Sequence, residues 1–373
     1  MATLTHDLQR KTPANSPATM RAAVYRGIND VRVETVPVPK IGAGEVLIRV
    51  HACGVCGTDL KKIHTGSHSA PRIFGHETAG EIAAIGAGIE DFSVGDRVIV
   101  YHHTPCGDCY YCRKKTFAQC PEYKRVGCTA GFEPSGGGFA EYVRVMDWIV
   151  RRGLIKIPDG VPFEQAAFVE PVNTVLKGVR RLDLASDETV LVIGQGPIGI
   201  LHAALSARAG AKVLTSDLYP ERHAIASHYG LHHPIDASKE DVVAAAHAAS
   251  EGRGADAVIL AVGGNGLIRT AINAARPGGR VLLFAQTQHG DATFDPADVC
   301  MDEKTLLGSY SSSFEMEPDV EELVFAGYRN GFDLTRLISH RFALEEAVEA
   351  IRVASNPAAT SMKVFIYPSE PQV

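Results

Sequence analysis

Cys106, Cys109, Cys112 and Cys120 follow the spacing C-x2-C-x2-C-x7-C. Four thiolates in so short a stretch can close a tetrahedron around one Zn2+ and leave no position for a reactant, which makes their role structural. Disulfides and an iron–sulfur cluster are the other chemistries such crowding allows. A second set is looser: Cys56 and His76 stand 20 residues apart, with Glu77 next to the histidine. Cysteine, histidine and carboxylate donors around one ion form a three-ligand site whose fourth position is open to water or a hydroxyl. By themselves, one Cys and one His at this distance also suit two unrelated structural residues.

The third group is glycine. Residues 190–199 read V-L-V-I-G-Q-G-P-I-G, an apolar strand entering G-x-G-x-x-G at Gly194, Gly196 and Gly199, with Ile198, Leu201 and Leu205 at helical spacing behind it. The first glycine permits a tight turn, the second lets a pyrophosphate approach the backbone, and the third lets helix and strand pack closely. Pro197 suits the first helical position, where its missing N–H costs nothing. The helix start then offers free N–H groups to phosphates. Asp217 closes the next strand, 18 residues after Gly199. A carboxylate there binds the ribose hydroxyls of adenosine and repels a 2′-phosphate, which predicts NAD rather than NADP.

These groups need two kinds of scaffold. From residue 20 to about 150 the chain has short β-like runs, such as 46–50 and 97–100, broken by Gly and Pro. This pattern predicts a mostly-β domain with irregular loops. Beyond Pro162, apolar strands (190–193, 212–216, 257–262, 280–285, 305–308) alternate with helical segments (198–209, 224–229), which predicts a doubly wound parallel sheet in an α/β fold. A helical segment at 344–353 and a last strand at 363–367 follow the last of these strands and are expected to return to the first domain. The expected division is a polar extension over 1–19, a catalytic domain over 20–170 and 312–373 with a zinc lobe at 102–125, and a nucleotide-binding domain over 171–311.

Composition narrows the partners. The chain has 373 residues, 45% hydrophobic and 21% charged, with a formal net charge of -6. Nucleic acid or an anionic membrane would favour a basic balance, so neither is an expected partner. Residues 1–19 lack the apolar stretch of a secretory signal, and cysteines this crowded suit a reducing compartment, so a cytoplasmic location is expected.

Taken in order, G-V-C-G-T-D (54–59), G-H-E (75–77), G-D-R-V (95–98), the four-cysteine lobe, G-G-F-A-E-Y (137–142), E-P-V-N-T (170–174), G-Q-G-P-I-G (194–199) and P-G-G-R (277–280) resemble the zinc-containing medium-chain dehydrogenase/reductase family over nearly all of residues 20–373. The resemblance implies a GroES-like catalytic domain beside a Rossmann sheet, two Zn2+ per chain, NAD, a small alcohol substrate and a homodimer or homotetramer. It implies that Cys56 and His76 are catalytic zinc ligands, with Glu77 or Glu170 as the third. Asp59 is then the carboxylate that orients His76, and Thr58 the hydroxyl that takes the substrate proton. Thr174 falls near the nicotinamide and Arg222 at the adenosine ribose.

Glu170 separates branches of the family. Simple alcohol dehydrogenases place a third cysteine there, whereas E-P is similar to the sorbitol or polyol dehydrogenase branch. The chain departs from many relatives at Lys61, where they carry a histidine that passes the proton to solvent; His64 or water is the expected substitute. Threonine 3-dehydrogenase and simple alcohol dehydrogenases share the scaffold as rival activities. Zinc-free quinone reductases and structural relatives differ in lacking the ligands that Cys56, His76, Glu170 and the lobe supply.

Overall fold

The computed structural model describes residues 17–287 and 289–369. The extension expected over 1–19 lies outside the described residues except for 17–19, and Thr19 already opens the strand Thr19–Gly27.

Six parallel strands form one sheet, in the order Pro234–Asp236, Lys212–Asp217, Thr189–Ile193, Ala255–Leu260, Ala275–Leu283 and Thr305–Gly308. The first strand in sequence, Thr189–Ile193, therefore lies in the middle, and the chain winds outward on one side and then on the other. That is the doubly wound order, with its crevice at the carboxyl end of Thr189–Ile193. All five residues of that central strand are buried, as expected for a sheet covered on both faces. The helix expected over 224–229 runs instead over Pro220–Ser227. Pro220 occupies its first turn, where a fixed φ favours initiation, and this pulls the start earlier than apolar periodicity suggests.

The second sheet is mostly antiparallel, in the order Ile338–Ala343, Lys363–Tyr367, Val46–Gly54, Glu77–Ile85, Arg97–Val100 and Leu154–Lys156, with Tyr142–Val145 also paired to Val46–Gly54. The last strand pairs Phe365 with Gly54 and Ile366 with Cys53. The C-terminus thus lies beside the loop that starts at Val55, and this register brings residues 363–367 close to Cys56.

One core joins the two sheets. Helix Val169–Leu182 buries Val172, Val175, Val179 and Leu182 against Val190, Leu201 and Leu282 on one side, while the same cluster reaches Ala52, Ala79 and Ile99 of the mostly-β part. Fully burying an aliphatic side chain of this size contributes about 1.5–3 kcal/mol. The helix is therefore fixed in place, and its first turn, which carries Glu170, is held between the two sheets.

Candidate active site

Strand Val46–Gly54 ends where Cys56 takes an extended conformation (φ -101°, ψ 145°) and caps helix Gly57–Thr65, its sulfur accepting from the Thr58 N–H at 3.5 Å. The helix stops at Gly66 in the left-handed region, a conformation in which glycine has no side-chain penalty. Asp59 projects from the first turn into the interior and is fully buried. Its Oδ1 lies 3.0 Å from His76 Nδ1. His76 precedes strand Glu77–Ile85 by one residue and follows Gly75 at φ 95°. A Cβ on Gly75 would fall 2.7 Å from the Phe139 ring, so a side chain is excluded there by space as well as by conformation.

Cys56, His76 and Glu77 are brought together, with one ligand atom of each lying within 4.8 Å of the others. The donor chemistry suits zinc: one sulfur, one imidazole and one carboxylate. One buried oxygen, Asp59 Oδ2, has no hydrogen-bond partner, an arrangement that a nearby cation compensates. Burial opposes charge at His76, but the charges of Asp59 and Cys56 and their hydrogen bonds outweigh it and raise the imidazole well above its ordinary pKa. An imidazole so biased is electron-rich toward a metal, and the Asp59 contact fixes which nitrogen faces it. Asp59 itself is driven upward by burial, yet the His76 charge and hydrogen bond carry its carboxyl below the usual range.

Lys363 was not among the candidates read from the sequence. Its Nζ lies 2.6 Å from Glu77 Oε1 and 2.5 Å from Oε2, and both side chains are buried. The only local signal is a lysine at the head of the apolar run K-V-F-I-Y. Gly54 makes room for the pair, since a Cβ there would lie 2.0 Å from Glu77 Oε2.

Glu170 stands apart from this cluster of ligand atoms. It lies in the first turn of helix Val169–Leu182, whose N-terminus has no side-chain cap, and it is half-buried. Desolvation, reinforced by Glu77 and Asp59 against the pull of His76 and Lys363, pushes its carboxyl up to about 7. Thr58 is exposed at the start of its helix. Thr174, one turn after Glu170, donates its hydroxyl to the Pro171 carbonyl at 2.8 Å.

His64 has partners away from Thr58. Its Nδ1 meets Asn29 Oδ1 at 2.6 Å and its Nε2 meets Ser355 Oγ at 2.8 Å. Both nitrogens are thereby engaged by residues distant in sequence, neither of them Thr58. Lys61 donates instead to the Thr287 carbonyl, tying the helix of Thr58 to the loop after strand Ala275–Leu283.

At the crevice of the parallel sheet, Gly194 has φ 94° and Gly199 packs so tightly that a Cβ would lie 1.7 Å from the Gly194 carbonyl oxygen. A Cβ on Gly196 meets nothing within 4 Å, so the space a phosphate needs is left clear. Pro197 and Ile198 open helix Pro197–Arg208. Asp217 accepts the Gln195 N–H at 2.6 Å and the Tyr219 N–H at 3.0 Å, and Arg222 Nη1 lies 3.3 Å from it. The carboxylate therefore bridges the glycine turn and the end of the second strand.

In the lobe, Cys106 Sγ lies 3.9 Å from Cys112 Sγ and 3.7 Å from Cys120 Sγ, and Cys109 Sγ lies 3.6 Å from Cys112 Sγ. A tetrahedron with metal–sulfur bonds of ~2.3 Å has edges of ~3.8 Å, so the four sulfurs are already at zinc spacing. The Asp108 and Cys109 N–H groups point at Cys106 and pull its thiol down to about 7. Among the described residues every cysteine is free. A separate cavity of about 690 Å3, lined by Arg49, Glu141, Glu164, Arg341 and Tyr367, shares no residue with either cysteine set.

A doubly wound sheet with an open glycine turn, joined to a mostly-β part with one open and one closed zinc-type ligand set, defines a nucleotide-linked zinc dehydrogenase. Sequence comparison gives the same class. Residues 42–159 match the alcohol dehydrogenase GroES-like domain, and residues 197–326 match the zinc-binding dehydrogenase family. The chain is 31% identical to the (R,R)-butanediol dehydrogenase of Bacillus subtilis (strain 168) over 94% of its own length and 100% of that protein's. It is 29% identical to the sorbitol dehydrogenase of the same organism over 95% and 98%. A zinc-binding dehydrogenase of Sinorhizobium meliloti 1021, solved with NADP bound, superimposes with a TM-score of 0.84 at 30% identity, covering 94% of this chain and 100% of that one. The chain belongs to the zinc-containing alcohol dehydrogenase family, within the medium-chain dehydrogenase/reductases. Among the described residues no helix is long and apolar enough to cross a membrane.

Proposed function

We propose that the chain oxidises a secondary alcohol of polyol or sugar-like type with NAD, using Cys56 and His76 with Glu77 or Glu170 to hold the catalytic zinc and Cys106, Cys109, Cys112 and Cys120 to hold a structural one. The observation that carries this reading is the convergence of Cys56, His76 and Glu77 within 4.8 Å, on the same helix and strand ends that present Thr58 and Asp59. When bound, the zinc lowers the pKa of a coordinated hydroxyl and the nicotinamide accepts a hydride. The protein's own groups do the rest. Thr58 accepts the substrate proton at its hydroxyl oxygen and gives up its own toward solvent. Asp59 holds the His76 ring in one orientation. Lys363 holds the Glu77 carboxylate in place. Glu170, near neutrality at about 7, is able to hold or release a proton beside them. Asp217 and Arg222 take the adenosine ribose, and the Asp217 charge disfavours a 2′-phosphate.

Similarity to the sorbitol and butanediol dehydrogenases and the Glu170-Pro171 pair support a substrate with neighbouring hydroxyls. The test is a screen of polyols, sugars, amino alcohols and simple alcohols against zinc-loaded protein, with NAD and NADP compared by absorbance of the reduced cofactor, alongside metal analysis. The expected result is about two zincs per chain, turnover of a vicinal polyol and a clear preference for NAD. Turnover confined to primary alcohols, or equal kcat/KM for the two cofactors, would overturn the corresponding part.

A further inference from the structure

Helix Val169–Leu182 carries more than Glu170. Glu170, Thr174 and Lys177 are spaced by four and then three residues, so they lie along one face. From that face and its edge the helix holds a short loop. Lys177 Nζ donates to the Tyr310 carbonyl at 2.8 Å and to the Ser312 carbonyl at 3.4 Å. The fully buried Asn173 pairs with Ser313 in both directions. Its Nδ2 donates to the Ser313 carbonyl at 3.0 Å, and its Oδ1 accepts the Ser313 N–H at 2.8 Å. Nδ2 also donates to the Tyr101 hydroxyl at 3.1 Å. The Tyr123 hydroxyl lies 3.1 Å from Ser311 Oγ and donates to the Ser312 carbonyl at 3.4 Å. Every residue from 310 to 313 is thus fastened from outside the loop.

The sheet says what this loop faces. Residues 309–313 leave the carboxyl end of Thr305–Gly308, on the other side of the central strand from Lys212–Asp217. Asp217 marks the adenosine end of a dinucleotide and the glycine turn its pyrophosphate, so the remaining half extends toward the strands on the loop's side. The loop also stands beside the ligand cluster. Tyr123 packs on His103 with ring centroids 5.2 Å apart, His103 on His102 at 4.0 Å, and His102 on His76 at 4.7 Å. Ser311 holds φ 59°, a left-handed conformation that a residue with a side chain keeps only where its surroundings impose it. Ser309 Oγ is buried without a hydrogen-bond partner. Lys177 is as unusual as the loop it holds. It is half-buried, and desolvation, with the Arg181 charge adding, brings its ammonium down to about 8. Lysine–carboxylate pairs form at Lys115, Lys156, Lys239, Lys304 and Lys363, but among the described residues none forms at Lys177. A cation partly withdrawn from water with no acid beside it adds little to stability. What it does supply is a fixed shape for residues 310–312.

We infer that Lys177 and Asn173 are positioning residues for the nicotinamide half of NAD: by holding residues 310–313 from helix Val169–Leu182, they fix one wall of the space that the ring enters, and they leave the adenosine half untouched. The inference rests on the nucleotide-linked reading of the glycine turn and assigns work to two side chains that the reading does not use. Neither residue takes part in the chemistry. Each acts through the loop, so its removal loosens the wall while Asp217, Arg222 and the glycine turn stay as they are.

The experiment measures binding of NADH and of ADP-ribose, which lacks only the nicotinamide, by calorimetry on the zinc-loaded full-length protein. Lys177→Met is expected to weaken NADH by about fivefold or more, the effect of losing a charged hydrogen-bond donor, while ADP-ribose changes by less than about twofold. Lys177→Arg, which keeps a cationic donor, is expected to retain most of the NADH affinity. Asn173→Ala is expected to show the same selective loss, larger because it frees both backbone groups of Ser313. The Lys177 pair decides the matter, since a half-exposed side chain can be shortened without opening the core, and the melting temperature of each ligand-free variant reports the fold. An NADH affinity unchanged in Lys177→Met, or NADH and ADP-ribose weakened alike, overturns the inference and leaves the dehydrogenase reading standing. Unmodified protein that binds neither ligand overturns both.

Discussion

The two cysteine sites differ in how far the chain must travel to build them. The lobe is assembled from residues 106–120, whose sulfurs lie 3.6–3.9 Å apart along three edges, and nearby backbone N–H groups point at two of them. Its donors are all thiols, and four thiolates saturate a tetrahedral ion. The other site takes Cys56 from the start of a helix, His76 and Glu77 from the start of a strand, and Lys363 from the last strand of the sheet. Only three donors converge there, and the groups around them are titratable. Local assembly from one ligand type yields a closed, inert cross-link. Assembly across distant elements from mixed ligands leaves an open position with acids and bases beside it. The sharpest way to break the comparison is to remove one sulfur from each. Cys56→Ser is expected to lower kcat by more than about 10^3-fold and to lose one zinc while the fold survives. Cys109→Ser is expected to lose the other zinc and to lower the melting temperature, because a structural ion contributes folding energy. Equal losses of activity and stability in both variants would erase the distinction.

The next largest effect is expected at Lys363, and it concerns how a buried charge is balanced. Replacing Lys363 with Met leaves the Glu77 carboxylate buried beside Gly54 with no cation. Breaking a buried pair in this way costs about 3–5 kcal/mol. Zinc restores a positive charge next to Glu77, so the loss measured by denaturant is expected to be larger in zinc-free protein than in zinc-loaded protein. A loss that is the same with and without zinc would mean that Glu77 does not face the ion.

Glu170 refines the open site further. If it ligates the zinc or holds the water on it, Glu170→Gln lowers kcat on the order of 100-fold and weakens zinc retention or shifts the pH profile. If its part is only to place a negative charge at the start of helix Val169–Leu182, the change costs about 1 kcal/mol or less in stability and leaves kcat nearly intact. The position of Glu77 in the ligand cluster, with Glu170 outside it, makes the choice between them measurable: Glu77→Gln and Glu170→Gln are expected to differ in zinc affinity, with the direct ligand showing the larger loss.

The same contrast governs what the sequence revealed. The glycine turn was legible because its chemistry is local: Gly194, Gly196, Pro197 and Gly199 specify a turn and a helix start within six residues. The lobe was legible for the same reason. Cys56 and His76 became readable only through family resemblance, since nothing in a spacing of 20 residues states that a helix start and a strand start adjoin. Lys363 was invisible, because 286 residues separate it from Glu77 and strand register alone brings them together. The surroundings of His64 were not legible either, because its nearness in sequence to Thr58 says nothing of where its ring points. Asn29 and Ser355, from opposite ends of the chain, decide that. Helix starts shifted by a few residues where a proline, rather than apolar periodicity, set the first turn.

The smallest expected effect lies outside both metal sites and tests whether a buried base in the nucleotide-binding sheet behaves differently from those at the open site. His202, in helix Pro197–Arg208, is fully buried, and neither ring nitrogen has a partner. The Phe284 ring meets it edge-on at 4.4 Å, and it lies so close to Gly178 that a Cβ there would sit 2.8 Å from its Cε1. Unlike His76, it has no acid nearby, and burial alone lowers it to about 3. The folded protein therefore keeps this imidazole neutral at pH values where the unfolded chain, with an ordinary histidine pKa of ~6.5, binds a proton. Because the unfolded state binds more protons, the contribution of His202 to stability is fully present above pH ~6.5 and declines as pH falls toward the folded pKa, with a slope of up to ~1.4 kcal/mol per pH unit. His202→Leu removes that slope and also replaces two unsatisfied nitrogens with apolar surface, so its stability at pH 7 is expected to stay within about 1 kcal/mol of the original. The measurement is urea denaturation of both proteins from pH 7.5 to 4.5. Buried carboxylates and other histidines contribute equally to both curves and cancel in the difference. A difference that shifts steadily in favour of the leucine variant as pH falls supports the account. Parallel curves would mean that His202 gains a hydrogen-bonding partner in solution and is not the isolated base that its packing indicates.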